Sequence, residues 1–270
     1  MRHRSVLPSL VLLMGNLPGA FAAAGPSALS SDRPDAPDGS GTVGSGHIQL
    51  ELGVDQSTAL GEPNSTALRV PFKLRLGVSE VVELHLESDG PAVDLEPVQD
   101  AGVQLHAGIS DLGLGLKWNF AQPGSDAAMW QPSMGVLVSL VAPFGTERFS
   151  ASQLLLKTAL IADFSLPLDL SLGTNLVLVG AIDGRPSQSA LWRATASLWR
   201  PLTPWTTDLR LFVDSFVQGA LTLEGSPLLS FGAGAAYSIH PDFQVDLYLR
   251  SLVDDGGGSL GGGLGIALRL

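Results

Sequence analysis

The sequence predicts an all-β protein, an antiparallel transmembrane β-barrel of about twelve strands. Apolar residues alternate with polar or small ones along most of the chain. Hydrophobic residues make up 45% of it, yet only 15% of the residues are charged. Successive side chains of a strand point to opposite faces, so this alternation indicates strands rather than helices. Beyond the N-terminus, no window holds the roughly 18 consecutive apolar residues that a membrane-spanning helix needs.

Residues 1–24 are typical of a secretory signal peptide. Arg2 and Arg4 form a basic start, residues 6–14 form a short apolar run, and residues 20–22 or 22–24 offer a small-residue cleavage site. A membrane anchor is the alternative, but the apolar run is too short to cross a bilayer. We therefore expect the protein to be exported.

Residues 25–46 are polar, rich in proline, glycine and serine, and acidic at Asp32, Asp35 and Asp38. A segment of this composition has too little apolar surface to pack by itself. We therefore expect a flexible periplasmic N-terminal segment, with a plug inside the barrel lumen as the alternative. The barrel is expected to occupy residues 47–270.

The strands follow from the alternation. Leu112, Leu114 and Leu116, for example, alternate with Gly113 and Lys117. Roughly twelve such segments recur, mostly about nine to twelve residues long, which is the length of a tilted strand that crosses a bilayer. The leucine-rich face carries almost no charge, whereas the other face holds small residues and charges of both signs. A soluble β-sandwich or barrel is the alternative, but the even number of uniform strands favours the membrane barrel.

The connectors should alternate between short turns at one end of the barrel and longer loops at the other. Residues 165–167 and His240–Asp242 have the length of turns, and residues 56–65 that of a loop. Ser88–Ala107 is the longest predicted loop. Residues 121–129 and 200–206 are longer than the alternation requires.

Charge and cysteine content narrow the partners. The formal net charge is -11, and removing the signal peptide takes away two arginines and no acids, which leaves 13 basic and 26 acidic residues. This balance argues against nucleic acid and against anionic lipid as main partners. The chain has no cysteine, so an exported fold must be stabilised in another way, as in a closed barrel. The expected partners are the lipid bilayer and a small-molecule solute.

The predicted lumen face contains the candidate functional residues. They are Arg69, Lys73, Arg75, Glu83, His85, Glu87, Asp111 and Lys117. A twelve-stranded barrel is wider than the eight-stranded type that side chains fill and narrower than an open porin. The first hypothesis is a narrow diffusion channel in which Arg69, Lys73 and Arg75 attract anions. The second is a closed structural or adhesive barrel that contacts partners through Ser88–Ala107.

A third hypothesis, a barrel hydrolase, needs a serine–histidine pair. The sequence contains no G-x-S-x-G motif and no histidine pair at metal-ligand spacing. His85 lies between Glu83 and Glu87 on the lumen face, where it would act as a base or a metal ligand, but a simple hydrogen bond in the lumen is favoured. We therefore expect no enzyme activity, no catalytic residues, no metal and no cofactor.

Several stretches resemble outer-membrane proteins labelled as the meta-pathway of phenol degradation, often called transporters. Residues 31–35 read SDRPD, residues 46–53 read GHIQLELG, and residues 108–118 read GISDLGLGLKW. The resemblance covers most of the mature chain and implies an outer-membrane barrel for the uptake of small, often aromatic or hydrophobic compounds. It also implies the barrel-assembly machinery as a partner. The chain departs from the pattern at Leu270, where such barrels usually end in Phe or Trp.

Aromatic residues make up only 6% of the chain, so the belts at the membrane interfaces should be thin. The candidates for such belts lie near the predicted strand ends. They are Trp118, Phe120, Trp130, Phe144, Phe164, Trp199, Trp205 and Tyr237.

Overall fold

The computed structural model describes residues 29–61, 64–98, 102–124, 130–182, 190–222, 225–255 and 257–270. These residues form fifteen strands: β1 (Ile48–Ala59), β2 (Thr66–Arg69), β3 (Phe72–Gly77), β4 (Val82–Ser88), β5 (Pro91–Val98), β6 (Gly102–Ile109), β7 (Leu112–Ala121), β8 (Ser133–Ala142), β9 (Leu155–Leu166), β10 (Leu170–Ala181), β11 (Leu191–Pro201), β12 (Leu209–Ala220), β13 (Leu228–His240), β14 (Phe243–Val253) and β15 (Ser259–Arg269). A 3-10 turn at Glu147–Phe149 is the one helical element of the described part, where no helix is long and apolar enough to cross a bilayer. The predicted signal peptide, residues 1–24, lies outside these residues.

Twelve of the described strands close into an antiparallel barrel, which confirms the predicted fold class. They are β1, β3, β4 and β7 through β15, and each pairs with its neighbours. The last strand returns to the first: β15 pairs with β1 from Gln49 opposite Arg269 to Ala59 opposite Ser259. Ile48 and Leu270 also exchange two backbone hydrogen bonds of 3.1 and 2.7 Å. Closure satisfies the backbone groups of the barrel wall, as a structure in a bilayer requires.

The remaining strands, β2, β5 and β6, continue β3, β4 and β7 above the barrel wall. The wall bends where the three residues 89–91 lie opposite the two residues 70–71, which shifts the register by one. Gly90 has a φ of 67°, and a Cβ there would lie 2.0 Å from the Val70 carbonyl oxygen, so the bend requires glycine. The prediction of a long loop at Ser88–Ala107 was wrong, because the extra residue and two prolines interrupt the alternation of real strands.

The two faces of the wall are inverted relative to a soluble protein. On β7, Leu114 is 62% exposed on the outer face, whereas Lys117 is completely buried on the inner face. Arg75 and Glu83 are likewise buried inside, and most outward leucines, valines and phenylalanines of the other strands are exposed. An apolar outer surface around a polar interior is the arrangement of a transmembrane barrel.

Most of the predicted aromatic belt lies on the surface. Trp118, Phe120 and Tyr237 are exposed near the lower end, defined here as the end where β9 and β10 join at residues 167–169. Trp130 and Trp205 are exposed in lower connections, and Phe144 is exposed at the upper end. Trp199 does not belong to the belt, because its indole points into the lumen.

Candidate functional site

Residues 29–46 cross the barrel lumen, with Asp32, Ser40 and Val43 buried. Their partners lie on strands around the whole circumference, from β1 to β14. The described part of the predicted flexible segment is therefore packed inside the barrel. Its polar groups, which would remain in water in isolation, find partners among the inward charges of the wall.

The densest contact of this lumen segment is made by Asp32. Its carboxylate lies 3.1 Å from Lys73 Nζ, 3.4 Å from Lys117 Nζ and 3.6 Å from Arg75 Nη1. Burial by itself would raise the pKa of Asp32, but the charges of Arg75, Lys117 and Lys73 hold that pKa well below its ordinary value. Asp38 binds Lys73 at 2.6 Å, and its pKa is also lowered by this lysine despite burial.

The wall behind Asp32 supplies the matching charges. Arg75 contacts Glu83 at 2.9 Å across β3 and β4 and Glu51 of β1 at 3.2 Å, and Lys117 contacts Glu83 at 3.1 Å. The backbone N–H of Val43 donates to Glu83 at 2.7 Å. The charges of one side of the lumen thus form a single buried network that includes the segment.

Arg33 anchors the segment to the seam between the first and last strands. Its guanidinium lies 3.2 Å from Asp55 of β1 and 3.6 Å from Asp246 of β14. Two inward glycines make room for it, since a Cβ at Gly53 or Gly265 would come within 2.3 to 2.5 Å of the Arg33 side chain. Small lumen residues on these strands thus have a definite role, which is to admit this arginine.

The opposite side holds the segment through single hydrogen bonds. Trp199 Nε1 donates to Asp35 at 2.7 Å, and the Ala36 N–H donates to Asp214 at 2.9 Å. The Ser40 N–H donates to Asp163 at 2.6 Å. Burial raises the pKa of Asp35 to about 7, a rise to which the charge of Asp214 also contributes. This side therefore binds the segment through hydrogen bonds, whereas the Asp32 side uses ion pairs.

The structure brings Lys73, Arg75, Glu83, His85 and Lys117 together around the lumen segment. Glu87 lies above them and binds Lys157 at 3.0 Å. Asp111 accepts hydrogen bonds from the backbone N–H groups of Gly145 and Ala151 and so holds the upper loop. Arg69 stands apart on β2, where it pairs with Asp94 at 2.7 Å and stacks over Phe149.

Several residues at the site were not among the sequence candidates. They are Glu51, Asp55, Asp163, Trp199, Asp214 and Asp246 of the wall, and Asp32, Arg33, Asp35 and Asp38 of the segment. The closely spaced charges of residues 32–38 were the available signal, because they complement the bases predicted for the lumen face.

His85 is enclosed, with Nε2 2.5 Å from Glu83. Metal-ligating atoms of Asp32, Glu83 and His85 all lie within 4.8 Å of one another. Arg75 and Lys117 contact both carboxylates of this group, so basic side chains already supply the positive charge that a metal ion would bring. His106 of β6 lies 3.7 Å from Glu96 of β5.

Two of the cavities inside the barrel border the lumen segment, and a third, of about 270 Å³, adjoins the upper one at Asp55, Tyr248 and Arg250. The upper one, of about 480 Å³, is lined by seven acids and four basic side chains: Asp32, Asp35, Glu51, Asp55, Glu87, Asp89 and Asp111, with Arg33, Lys73, Lys157 and Arg250. Phe72, Phe149 and Tyr248 also line it. The lower cavity, of about 250 Å³, lies between the segment and the wall from β9 to β12. Arg69, Lys73 and Arg75, which the first hypothesis expects to attract anions, are each paired with a carboxylate, and acids outnumber bases in the lining of the upper cavity.

Residues 31–270 match the model of the family described as "Putative MetA-pathway of phenol degradation". The chain belongs to this family. The match begins at the SDRPD stretch, so the family pattern includes the part of the lumen segment that carries the ion pairs. A search of curated proteins found no match.

Solved structures share the fold of this family member. The COG4313 outer membrane channel from Pseudomonas putida F1 aligns with a TM-score of 0.65 at 11% identity, over 88% of this chain and 100% of that one. The NanC porin aligns with a TM-score of 0.51 at 11% identity, over 81% and 100%. The β domain of the Bordetella autotransporter BrkA aligns with a TM-score of 0.50 at 12% identity, over 83% and 99%. These likenesses show that the chain has a β-barrel fold of the outer-membrane type.

Proposed function

We propose that this protein is a channel of the bacterial outer membrane that carries small solutes past the segment in its lumen. The observation that carries the proposal is the pair of cavities, one on each side of residues 29–46, inside a closed barrel with an apolar outer surface. A barrel that served only as a scaffold would have no need of polar cavities on both sides of a narrow partition. The family match and the COG4313 channel support the same function.

The upper cavity favours small aromatic molecules that carry a hydroxyl group. Phe72, Phe149 and Tyr248 offer ring surfaces, and the carboxylates of Asp55 and Asp89 offer hydrogen-bond acceptors in the same space. Aromatic rings pack well against one another in offset or edge-to-face arrangements. The description of the family, which names phenol degradation, agrees with this solute class.

A closed structural barrel is the second candidate, because the buried charges of the ion-paired network are paired with one another. Asp32, Arg75, Glu83 and Lys117 leave no free charge there. In that case the cavities would be packing defects and the barrel would contact partners through its upper extension. Bilayer insertion and assembly by the barrel-assembly machinery are proposed for both candidates.

Single-channel recording in planar bilayers tests the two candidates. The full-length protein is compared with a variant that lacks residues 29–46 and retains its export signal, each checked for barrel formation by its heat-modifiable mobility. We expect small discrete steps from the wild type and larger steps from the deletion variant. Steps from the deletion variant alone would favour the closed barrel, and folded protein without steps in either case would overturn the channel.

The solute class is tested in the same recordings by adding phenol. We expect phenol to reduce the wild-type current as its concentration rises, and Phe149→Ala to weaken that reduction because one ring of the upper cavity is lost. Glycerol is the control solute, since it carries hydroxyl groups without a ring. Equal effects of phenol and glycerol would contradict an aromatic preference.

A further inference from the structure

The route between the two cavities is marked by one residue. Within the described part of the chain, Asp35 is the one residue that lines both the upper and the lower cavity. The residues on either side of it along the segment, Pro34 and Ala36, touch one cavity or neither. Anything that moves between the cavities by the shortest way therefore passes the Asp35 side chain.

The two sides of the segment differ in how firmly they are closed. Asp32 on one side is held by three basic side chains, and Asp38 shares one of them. Asp35 accepts a hydrogen bond from Trp199 and has no basic partner within ion-pair distance among the described residues. Opening a passage at Asp35 breaks hydrogen bonds only, whereas opening one at Asp32 separates buried charges, which is far more costly.

The wall facing Asp35 combines aromatic and charged side chains. The Trp199 ring stacks on Phe212 with centroids 4.5 Å apart. The Arg210 guanidinium lies 5.3 Å from the centroid of the Trp199 ring, and both residues line the lower cavity. Asp214 is the other charged group near Asp35, and it also binds the segment backbone. An acid, an indole and a guanidinium thus lie around the Asp35 carboxyl group, between the two cavities.

We propose that Asp35 is the selectivity residue of this channel: solutes pass between the cavities along the β11–β12 side of the lumen segment, between the Asp35 carboxyl group and Trp199, while the Asp32 side stays anchored. This inference rests on the proposed channel function. A carboxylate between the two cavities disfavours anions and favours cations or neutral molecules that donate a hydrogen bond.

The first test measures ion preference at alkaline pH, from the reversal potential of single channels in a potassium chloride gradient. Asp35→Asn keeps the acceptor for Trp199 and removes the charge, so we expect the preference for potassium over chloride to fall. The matched control is Asp208→Asn, which makes the same change at an exposed lower connection outside both cavities. An unchanged preference in Asp35→Asn would overturn the assignment.

The second test concerns the side on which solutes pass. Gly173 lines the lower cavity, and a Cβ there would lie 3.3 Å from Asp163 and 3.7 Å from Pro37. Gly173→Leu should therefore obstruct the route and lower the conductance. Gly180→Leu is the control, because it makes the same change on the same strand where a Cβ meets nothing within 4 Å, on the outward face by alternation from buried Asn175.

The outcomes separate this inference from the function on which it rests. A folded wild-type barrel that shows no conductance would contradict the proposed channel function. A conducting wild type in which Asp35→Asn and Gly173→Leu behave like their controls would retain the channel and overturn the route past Asp35. For each variant, a heat-dependent shift in electrophoretic mobility shows that the barrel has folded before its current is compared.

Discussion

Arg75 and Glu83 meet across β3 and β4 in a two-pronged ion pair, in which Nε and Nη2 lie 3.0 and 3.2 Å from the two carboxylate oxygens. Both side chains are completely buried. Arg75 also donates to the carbonyl oxygens of Ser30 and Gly41 at 2.7 and 3.1 Å, so it holds both arms of the lumen segment at once. One wall residue thus links barrel stability to the placement of the segment.

The first prediction follows from this pair. Arg75→Met leaves Glu83 buried beside one cation fewer, and losing one partner of a buried pair typically costs about 3–5 kcal/mol. We expect a clear fall in the urea midpoint of unfolding in detergent micelles, measured by tryptophan fluorescence. Arg148→Met, which removes an arginine from the exposed 3-10 turn that contacts β5, should leave the midpoint unchanged. Equal midpoints for Arg75→Met and the wild type would show that the pair is not coupled to folding.

A second prediction concerns the place where the segment leaves the lumen. A Cβ on Gly77 would lie 1.7 Å from the backbone carbonyl oxygen of Gly44, so Gly77→Ala must displace the segment next to the Val43–Glu83 hydrogen bond. Overpacking of this kind costs about 1–3 kcal/mol. Limited proteolysis should cut the segment faster in Gly77→Ala than in the wild type. Gly180→Ala, with nothing within 4 Å of the new Cβ, should match the wild type, and equal cleavage of all three proteins would contradict the prediction.

The third prediction is a pH dependence of segment binding. Burial raises the pKa of Asp35 to about 7 in the folded protein, above the value near 3.8 expected when the group is in water. The folded state therefore holds this proton more tightly, and the contribution of Asp35 is full below about pH 4 and is lost as the pH rises toward 7. Asp32, whose pKa is lowered, has the opposite dependence, and its contribution is lost only at more acid pH.

Protease cleavage of the segment, measured between about pH 4 and pH 9, checks this dependence. Cleavage should accelerate as the pH rises through neutrality, and Asp35→Asn should flatten the profile because it no longer titrates. A wild-type profile that is flat, or that runs in the opposite direction over this range, would be inconsistent with the raised pKa.

The fourth prediction concerns the outer surface. Leu247 lies near the middle of β14 and is 51% exposed. Arginine at the midplane of a transmembrane barrel costs about 2–4 kcal/mol and much less near the interfaces. Leu247→Arg should therefore lower the unfolding free energy in lipid vesicles, whereas Leu168→Arg, at an exposed turn of the lower end, should have little effect. Similar stabilities of the two variants would argue against a bilayer around β14.

The sequence was sufficient to predict the strands that form the wall of the barrel. Leu114 and Lys117 differ in face because side chains of a strand alternate, and this local rule holds wherever the strand goes. The same rule was less informative at Ser88–Ala107, because one extra residue at Gly90 reverses the faces and makes two real strands resemble a loop. Local patterns thus predicted the strands, their outward face and the polar lumen, but not every place where a strand bends.

The position of residues 29–46 depends on partners that lie far away along the chain. Asp32 is buried because Lys73, Arg75 and Lys117 surround it, and Asp35 reaches Trp199 across 164 residues of sequence. By composition alone such a polar segment should remain in water, since ordering it has an entropic cost that its own side chains do not offset. Barrel closure brings the compensating charges to one place. The alternation of residues therefore accounts for the barrel, whereas the placement of the lumen segment arises from charge pairing between residues that only the closed barrel brings together.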